Sequence, residues 1–193
     1  HTVGRISRKG QVVNVLLVGP KGTGKTSLPK EFAAANGRPF FTVHCQLIAE
    51  RDDWWGSKEL SLERGTYFEK AAFLDAVETP GCVILLDEAD LLRSPLFDEL
   101  KILLNFEMDS KDPLLLILAA QPQLLAKLAL RIHLPFRQRV AMRYRMPAMD
   151  ETHTRGYVEH HLRLAGRKQR LVTDEAMLQL FVQSGGVPRV IGN

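Results

Sequence analysis

The stretch from Gly19 to Thr26 constrains this chain more than any other. It reads Gly-Pro-Lys-Gly-Thr-Gly-Lys-Thr and fits the pattern G-x-x-x-x-G-K-[ST]. The apolar run at 12–18 before it predicts a buried strand, and apolar residues recur at helical spacing over 26–36. A glycine-rich turn between a strand and a helix directs backbone N–H groups and the positive end of the helix dipole at an anion. The stretch therefore predicts a site for nucleotide phosphates.

Individual residues of this loop have predicted parts in the site. Lys25 is expected to reach the β and γ phosphates, and the hydroxyl of Thr26 to face Mg²⁺. The other predicted nucleotide contacts in and beside the loop are Gly19, Pro20, Lys21, Gly22, Thr23, Gly24 and Ser27. A surface turn rich in Gly and Lys is the alternative, and the flanking strand and helix disfavour it. Pro29 is expected to distort the turn that carries the lysine, because it lacks an N–H and crowds the carbonyl four residues earlier.

A second motif ends another predicted strand. Residues 83–86 form a continuous apolar run, which is typical of a strand buried on both faces of a parallel sheet, and Asp87 and Glu88 follow it. In α/β sheets, ligands bind at the carboxyl ends of the strands. Asp87 is therefore predicted to hold Mg²⁺ and Glu88 to orient and deprotonate an attacking water. Acids here could instead cap the next helix, but the phosphate loop upstream favours catalysis.

Strand and helix patterns alternate as far as residue 148. This alternation predicts an α/β fold, a three-layer αβα core around a parallel, doubly wound sheet. From residue 149 onward strands cease, and helical patterns at 151–165 and 173–184 predict a small, partial α-helical lid at 149–193. A second strand is predicted at 38–43 and a helix at 66–77. Between them, Trp54 and Trp55 lie in a segment that shows neither the helical nor the strand period. That segment either packs down on its own aromatic rings or presents them to a partner.

Composition and charge bound the setting and the partners. The chain has 193 residues, 45% of them hydrophobic and 25% charged, and it shows neither a signal-peptide pattern nor an apolar run of membrane-spanning length. Cys45 and Cys82 stand at no metal or redox spacing, so we expect buried thiols in a reducing, cytoplasmic setting with no membrane partner. Residues 127–170 hold eleven Lys and Arg against three acids. This charge predicts an anionic partner, or else arginines that serve nucleotide and subunit contacts.

The motifs occur in the order found in AAA+ ATPases, which are P-loop NTPases, and the resemblance covers nearly the whole chain. Up to about residue 92 the sequence resembles the MoxR-type branch, through the segments 65–67, 72–74 and 86–88. From residue 103 it looks more like ATPases of the ExeA, TnsC and MuB type, through the segments 104–107, 120–124, 165–166 and 186–189. The resemblance implies ATP and Mg²⁺ as cofactors and self-association into a ring or filament, with a hexamer expected.

The resemblance also implies roles for later residues. Gln121 occupies the first sensor position, next to the γ-phosphate or the attacking water, where many relatives have Asn or Thr. Arg189 matches the second sensor, which the lid places over the nucleotide. Arg139 or Arg137 resembles the arginine finger offered to a neighbouring subunit, and a solvated surface charge is the alternative for each arginine. Relatives of this kind have further helical turns after the second sensor, so we expect the sequence to end before the lid is complete.

The combined expectation is an ATP hydrolase that works as an oligomer. Its expected action is on DNA, and two alternatives, a protein-remodelling ATPase and a secretion-associated ATPase, remain open. The basic second half favours an ATP-gated assembly on duplex DNA, as in transposition regulators. The first half favours a protein-remodelling ATPase of the MoxR type, with Trp54 or Trp55 as pore-facing grips, and a secretion-associated ATPase is related to the second half. A nucleotide-gated adaptor with little hydrolysis is disfavoured because Glu88 is present.

Overall fold

The computed structural model describes residues 13–61, 65–106, 114–167 and 171–192. These residues form two compact units. The first unit contains the described residues up to Val18 together with Thr26–Tyr144, and the second contains Gly19–Lys25 and the residues from Arg145 onward. The phosphate loop thus belongs to the same unit as the C-terminal helices, while the strand before it and the helix after it belong to the other.

The first unit is built around a five-stranded sheet with the strand order β2-β5-β6-β1-β7. The pairs β1–β6, β2–β5 and β5–β6 are parallel. Strands β3 and β4 form a separate two-stranded sheet. The strands of the described residues are β1 Val13–Val18, β2 Phe40–His44, β3 Gly56–Ser61, β4 Gly65–Lys70, β5 Val83–Asp87, β6 Leu115–Ala120 and β7 Val140–Arg145. The parallel sheet with its helices confirms the predicted α/β class.

Nine α-helices alternate with or follow these strands in the part of the chain that the structure describes. Six lie in the first unit: α1 Ser27–Ala35, α2 Asp52–Trp55, α3 Ala72–Glu78, α4 Ser94–Phe106, α5 Gln123–Ala129 and α6 Leu134–Arg139. Three lie in the second unit: α7 Glu151–Leu164, α8 Asp174–Ser184 and α9 Pro188–Ile191. Among the described residues, no helix is long and apolar enough to cross a membrane.

The core of the first unit lies on the central strands. Val83, Ile84, Leu85 and Leu86 of β5 are all fully buried, and all six residues of β6 are buried as well. Burial on both faces explains why these strands read as continuous apolar runs rather than as alternating ones. Both cysteines are buried thiols that form no disulfide, as the sequence predicted. Packing of these strands fixes the sheet edge at which the acidic motif emerges.

Residues 52–77 differ from their prediction. The segment with the two tryptophans contains the short helix α2, and the stretch predicted as helix from residue 66 begins instead with strand β4. Strands β3 and β4 form an antiparallel hairpin, in which Gly56 pairs with Lys70 and Ser61 with Gly65. The error has a physical reason: the hairpin is largely exposed, so its side chains do not show the apolar alternation that marks a half-buried strand.

The tryptophans of α2 pack into the first unit. Trp54 is fully buried, and its ring meets that of Phe73 edge to face at a centroid distance of 4.4 Å. Trp55 also contacts Phe73, and its Nε1 donates a hydrogen bond to Oε2 of Glu99 at 3.0 Å. The packed-down alternative is therefore correct, and the idea that Trp54 grips a client is wrong, because none of its side chain is accessible.

The second unit is held by capping and by close backbone contacts. Asp150 caps α7 by accepting a hydrogen bond from the backbone N–H of His153, and this bond lowers the pKa of the Asp150 carboxyl. Gly186 has a φ of +69°, and a Cβ on it would lie 1.8 Å from the carbonyl oxygen of Met149. Only glycine permits this approach, which also lets the N–H of Met149 donate to the carbonyl of Gly186 at 2.8 Å.

Candidate active site

The phosphate loop, Gly19–Lys25, is held by hydrogen bonds among its own residues. Nζ of Lys25 donates to the carbonyl oxygens of Gly19 and Pro20, at 2.8 and 2.6 Å. Oγ1 of Thr23, a buried side chain, donates to the carbonyl of Pro20 at 2.9 Å. The ammonium group of Lys25 thus curls back over the start of the loop, where the predicted phosphates would take over its contacts.

Gly22 shows why this loop needs glycine. Its φ of +86° suits glycine, and a Cβ would lie 2.8 Å from the Cβ of Arg189 and 3.0 Å from a methyl carbon of Val187. The backbone N–H of Arg189 also donates to the carbonyl of Gly22 at 3.3 Å. The segment around Arg189 therefore packs directly on the phosphate loop within the second unit, and Arg189 itself is exposed.

The helix after the loop starts late. Lys25 and Thr26 lie in turns, and the regular helix α1 begins at Ser27. Thr26 precedes the helix without a capping hydrogen bond from its side chain. Pro29 is the third residue of α1 and is buried, a position where the missing N–H is tolerated. The hydroxyl of Thr26 is consequently available for other partners.

That hydroxyl joins the two sequence motifs. Oγ1 of Thr26 donates a hydrogen bond to Oδ2 of Asp87 at 2.9 Å, across 61 positions of the chain. Asp87 ends β5, and His44 at the end of β2 pairs with it. Hydroxyl and carboxylate oxygens are the hard ligands that Mg²⁺ prefers. The donor set of this pair therefore fits the predicted metal.

Glu88 has an unusual backbone conformation. Its φ is 56° and its ψ is 41°, and among the described residues it is the one non-glycine residue with a positive φ. A left-handed conformation costs a residue with a Cβ about 1–2 kcal/mol. Two hydrogen bonds hold it: the N–H of Glu88 donates to Oδ1 of Asp87 at 3.0 Å, and its carbonyl accepts from the N–H of Leu91 at 2.9 Å. Strain of this kind concentrates at functional sites.

Asp90 and Gln123 were not among the predicted site residues. The carboxylate of Asp90 is buried, and it accepts hydrogen bonds from the backbone N–H of Gln121 at 2.9 Å and from Nε2 of Gln123 at 2.8 Å. Nζ of Lys127 donates to the carbonyls of Asp90 and Leu92, at 2.7 and 2.8 Å. In the sequence, the signal for Asp90 was its position three residues after Asp87. Its partners lie on another element, and sequence spacing cannot show such contacts.

Cys45 lies beside this acidic edge. Burial first, and then the charges of Asp87, Asp90 and Glu88, raise the pKa of the Cys45 thiol far above its ordinary range. The thiol therefore stays protonated, and it is a poor nucleophile and a poor metal ligand.

The two arginines predicted as fingers lie on α6. Both are partly exposed, and Nη1 of Arg139 donates to the carbonyl of Pro135 at 2.7 Å. The carbonyl of Arg139 accepts a hydrogen bond from Nδ2 of Asn14 at 3.0 Å, and the carbonyl of Arg137 accepts one from Arg143. Asn14 is a buried polar residue in the otherwise apolar strand β1. Its amide holds the end of α6 against the sheet. The sequence did not predict this contact of Asn14.

The predicted residues thus fall into two groups. Thr26, Asp87, Glu88 and Gln121 lie in the first unit, at the carboxyl ends of β5 and β6 and the start of α1. Lys25, the rest of the loop and Arg189 lie in the second unit. Within each unit the structure brings the predicted partners together, through the Thr26–Asp87 bond in one and the Gly22–Arg189 contact in the other.

Residues 14–131 match the family model of the AAA domain, dynein-related subfamily. Among curated proteins, BssE, a proposed chaperone of Thauera aromatica, is 39% identical over 96 residues, which are 49% of this chain and 32% of that protein. General secretion pathway protein A of Aeromonas hydrophila is 34% identical over 109 residues, 56% of this chain and 20% of that protein. The chain thus spans about a third and a fifth of the lengths of these two relatives.

Solved structures share the fold. The RuvB Holliday junction branch migration motor of Thermotoga maritima matches with a TM-score of 0.67 and 19% identity, over 97% of this chain and 55% of that one. The Hsp104–ADP complex of S. cerevisiae matches with a TM-score of 0.70 and 17% identity, over 99% of this chain and 41% of that one. At these identities the likeness concerns the architecture alone.

Proposed function

The chain belongs to the family of AAA ATPase domains, and from this premise we propose that it binds ATP with Mg²⁺ and hydrolyses the bond to the γ-phosphate as part of an oligomer. The observation that carries the proposal is the 2.9 Å hydrogen bond from Thr26 to Asp87. It joins the residue that ends the phosphate-loop motif to the first acid of the second motif. Two residues from motifs distant in sequence are thus hydrogen-bonded to each other, which supports a shared site.

The residues divide the work by their chemistry. Lys25 and the loop N–H groups bind the phosphates and offset charge that develops on them. Thr26 and Asp87 would hold Mg²⁺, which when bound neutralises charge between the β and γ phosphates. Glu88 accepts the proton of the attacking water. Gln121, at the end of the neighbouring strand β6, orients that water or the γ-phosphate through its amide.

Two substitutions test this division. Lys25→Ala is expected to abolish ATP binding, whereas Glu88→Gln is expected to keep binding and to stop turnover. Binding of a fluorescent ATP analogue and release of phosphate are measured on the same preparations. Glu59→Gln, a change of the same kind on the exposed hairpin, is the control and should act as wild type. Unimpaired turnover in Glu88→Gln would contradict the catalytic assignment.

We further propose that Arg139 or Arg137 completes the site of a neighbouring copy. Both lie on α6 and are partly exposed. An arginine finger is worth roughly 10³–10⁵ in rate, so activity per chain should rise with protein concentration. Mixing Arg137→Ala/Arg139→Ala protein with Lys25→Ala protein should restore some activity at mixed interfaces. Activity that is independent of concentration, without such rescue, would mean that one subunit contains the whole site.

For the client, we propose an extended, acidic and apolar polypeptide that binds the β3–β4 hairpin. The pairs Lys58–Phe68 and Leu60–Thr66 place their side chains on one face of the hairpin, together with Lys70. Leu60 is 82% exposed and Phe68 51%. Lys58 is exposed beside them, whereas the ammonium group of Lys70 is paired with the carboxylate of Glu78 at 2.6 Å. The similarity to a proposed chaperone supports a protein client.

The hairpin face is tested through stimulation of the ATPase. β-Casein, an unfolded acidic protein, should raise the turnover of wild type, and Leu60→Ser/Phe68→Ser should lose that rise while keeping its basal rate. Leu47→Ser, at an exposed leucine outside the hairpin, is the matched control and should be stimulated normally. Equal stimulation of wild type and the hairpin variant would exclude this face as the client site.

Duplex DNA is a second candidate client, favoured by the basic stretch 127–170. Arg163 and Arg167 are exposed at and after the end of α7, whereas Lys127 is engaged with backbone carbonyls and Arg155 pairs with Asp174. Lys168 and Arg170, which belong to the same basic stretch and are further candidates for DNA contacts, lie outside the described residues. Exposed arginines on one helix end suit contacts to phosphates without sequence preference.

The DNA hypothesis is tested with the ATP-bound protein and a random-sequence duplex. Affinity should fall with salt at a log–log slope of about −0.9 per phosphate neutralised, and Arg163→Ala/Arg167→Ala should flatten that slope without changing ATP affinity. Lys30→Ala/Arg93→Ala removes two exposed charges elsewhere and is the control. If DNA does not bind at low salt, the polypeptide client remains.

A further inference from the structure

Asp90 is a buried carboxylate to which the reaction above assigns no direct part. It is 5% exposed and lies in the turn Ala89–Leu91, directly after Glu88. Its Oδ1 accepts the backbone N–H of Gln121 at 2.9 Å, and its Oδ2 accepts Nε2 of Gln123 at 2.8 Å. Both oxygens are thus directed at the segment that follows β6. A buried carboxylate needs such partners, because an ion without them is costly to bury.

The position of these bonds in the sheet gives them a consequence for the site. The pairing of β5 with β6 runs from Val83–Leu115 to Leu86–Leu118. Beyond that last pair, β5 ends at Asp87 and is followed by Glu88, and β6 ends at Ala120 and is followed by Gln121. The carboxylate of Asp90 joins the two chain segments there. It therefore fixes the distance between the backbone of Gln121 and the turn that begins at Glu88.

The same anchor supports the left-handed conformation of Glu88. The carbonyl of Glu88 accepts the N–H of Leu91, so the turn Ala89–Leu91 must stay closed for Glu88 to keep its φ of 56°. Asp90 lies in the middle of that turn. Its side chain holds the turn to β6, and Lys127 holds it to α5 by donating to the carbonyls of Asp90 and Leu92. Loss of the carboxylate would release one side of a strained turn.

We infer that Asp90 is a positioning residue for ATP hydrolysis, which sets Glu88 and Gln121 at the spacing that the attacking water requires. The inference rests on the proposed ATPase function. Asp90 does not itself contact the substrate in this proposal. It acts only through Glu88 and Gln121, which it aligns. A displacement of about 1 Å in an active site can cost on the order of 100-fold in rate. The expected signature is a loss of kcat with little change in ATP binding.

The first test compares two variants of Asp90 in the full-length protein. Asp90→Ala should lower kcat by about tenfold to 100-fold, with the Kd for ATP within about twofold of wild type. Asp90→Asn should recover most of the rate, since its amide oxygen still accepts from Gln121 and its NH₂ can donate to Gln123 once that amide is flipped. Asp98→Ala, an exposed aspartate paired with Lys101, is the matched control and should keep the wild-type rate.

The second test asks whether Asp90 acts through Gln121. Gln121→Ala removes the amide side chain but keeps the N–H that Asp90 accepts. If Asp90 positions that amide, the loss in Asp90→Ala/Gln121→Ala should be clearly smaller than the product of the two single losses. A loss equal to the product would overturn the inference, as would an Asp90→Ala protein with the kcat of Asp98→Ala. Should Asp90→Ala fail to fold, Gln123→Ala removes one of the two bonds and should lower kcat by a few-fold.

These outcomes are distinguishable from failure of the proposed function. Turnover in Glu88→Gln would refute the ATPase assignment whatever Asp90 does. If Glu88→Gln is inactive and Asp90→Ala hydrolyses ATP at the wild-type rate, the ATPase assignment holds and the positioning role is wrong. Melting temperatures of all variants are measured in parallel, and a variant at which kcat falls only when the protein is partly unfolded counts against positioning.

Discussion

The central strands and the β3–β4 hairpin are both pairs of hydrogen-bonded strands, but packing acts on them in opposite ways. Residues Val83 to Leu86 of β5 are 0% exposed, whereas Leu60 and Phe68 of the hairpin are 82% and 51% exposed. In the first region neighbours on both faces determine where each side chain lies. In the second, side chains are placed by strand register alone. The first region is suited to hold catalytic groups still, and the second to meet a partner.

The two regions are joined at Trp54. This residue is fully buried against Phe73, one position before Trp55 and two before the hairpin begins. An exposed hairpin thus grows from a tightly packed base. The comparison predicts that damage to the base should be costly, and that damage to the hairpin face should cost almost nothing in stability.

The largest expected effect concerns that base. Trp54→Ala should lower the free energy of unfolding by about 3–5 kcal/mol, because it removes a large side chain from a closed core. Chemical denaturation measures the loss, and hydrogen exchange should show faster opening of residues 56–61 and 65–70. A stable Trp54→Ala protein would mean that the hairpin base is not part of the core, and the comparison would fail.

A matched pair of leucines gives the next effect. Leu86→Ala in β5 should cost about 2–5 kcal/mol, whereas Leu60→Ala in the hairpin should change stability by less than about 0.5 kcal/mol. The two variants delete the same atoms, so their difference measures packing directly. Similar losses at the two positions would show that the hairpin face is covered in solution.

The smallest effect is a pH dependence that belongs to the packed region. His133 is 3% exposed, next to Ser94 and Phe97, and burial lowers the pKa of its imidazole. Above the unfolded pKa of about 6.5 both states are neutral. As the pH falls below that value the unfolded state binds a proton first, so stability is lost until the lowered folded pKa is reached.

We expect this loss to be smaller than the effects of the core substitutions, because it depends on the protonation of one side chain. Urea unfolding of wild type and His133→Gln between pH 7 and pH 5 measures it, and the variant should show a flatter dependence. His160→Gln, at an exposed histidine of α7, should leave the dependence unchanged. If the free energy of unfolding of His133→Gln depended more steeply on pH than that of wild type, His133 would not be buried in its neutral form.

The same difference between regions explains what could be predicted. Strands β1 and β5 were found because burial on both faces leaves an apolar run that reads directly from the sequence. The hairpin was missed because most of its side chains are exposed, so its sequence lacks the apolar alternation of a half-buried strand. Part of it was predicted as a helix. Asp90 was missed although it follows Glu88 closely, because its partners Gln121 and Gln123 come from another strand end. Asn14 was missed for the same reason.

The sequence by itself determined which residues are predicted to bind phosphates, which carboxylates follow the buried strand, and that strands and helices alternate. Local spacing carries that information, since a phosphate loop and an acidic strand end are contiguous motifs. Only the tertiary structure decided three further features. These are the hydrogen bond from Thr26 to Asp87, the left-handed conformation of Glu88 and the burial of Trp54. Each of these depends on residues distant along the chain, and pairing of that kind is settled by the packing of the sheet.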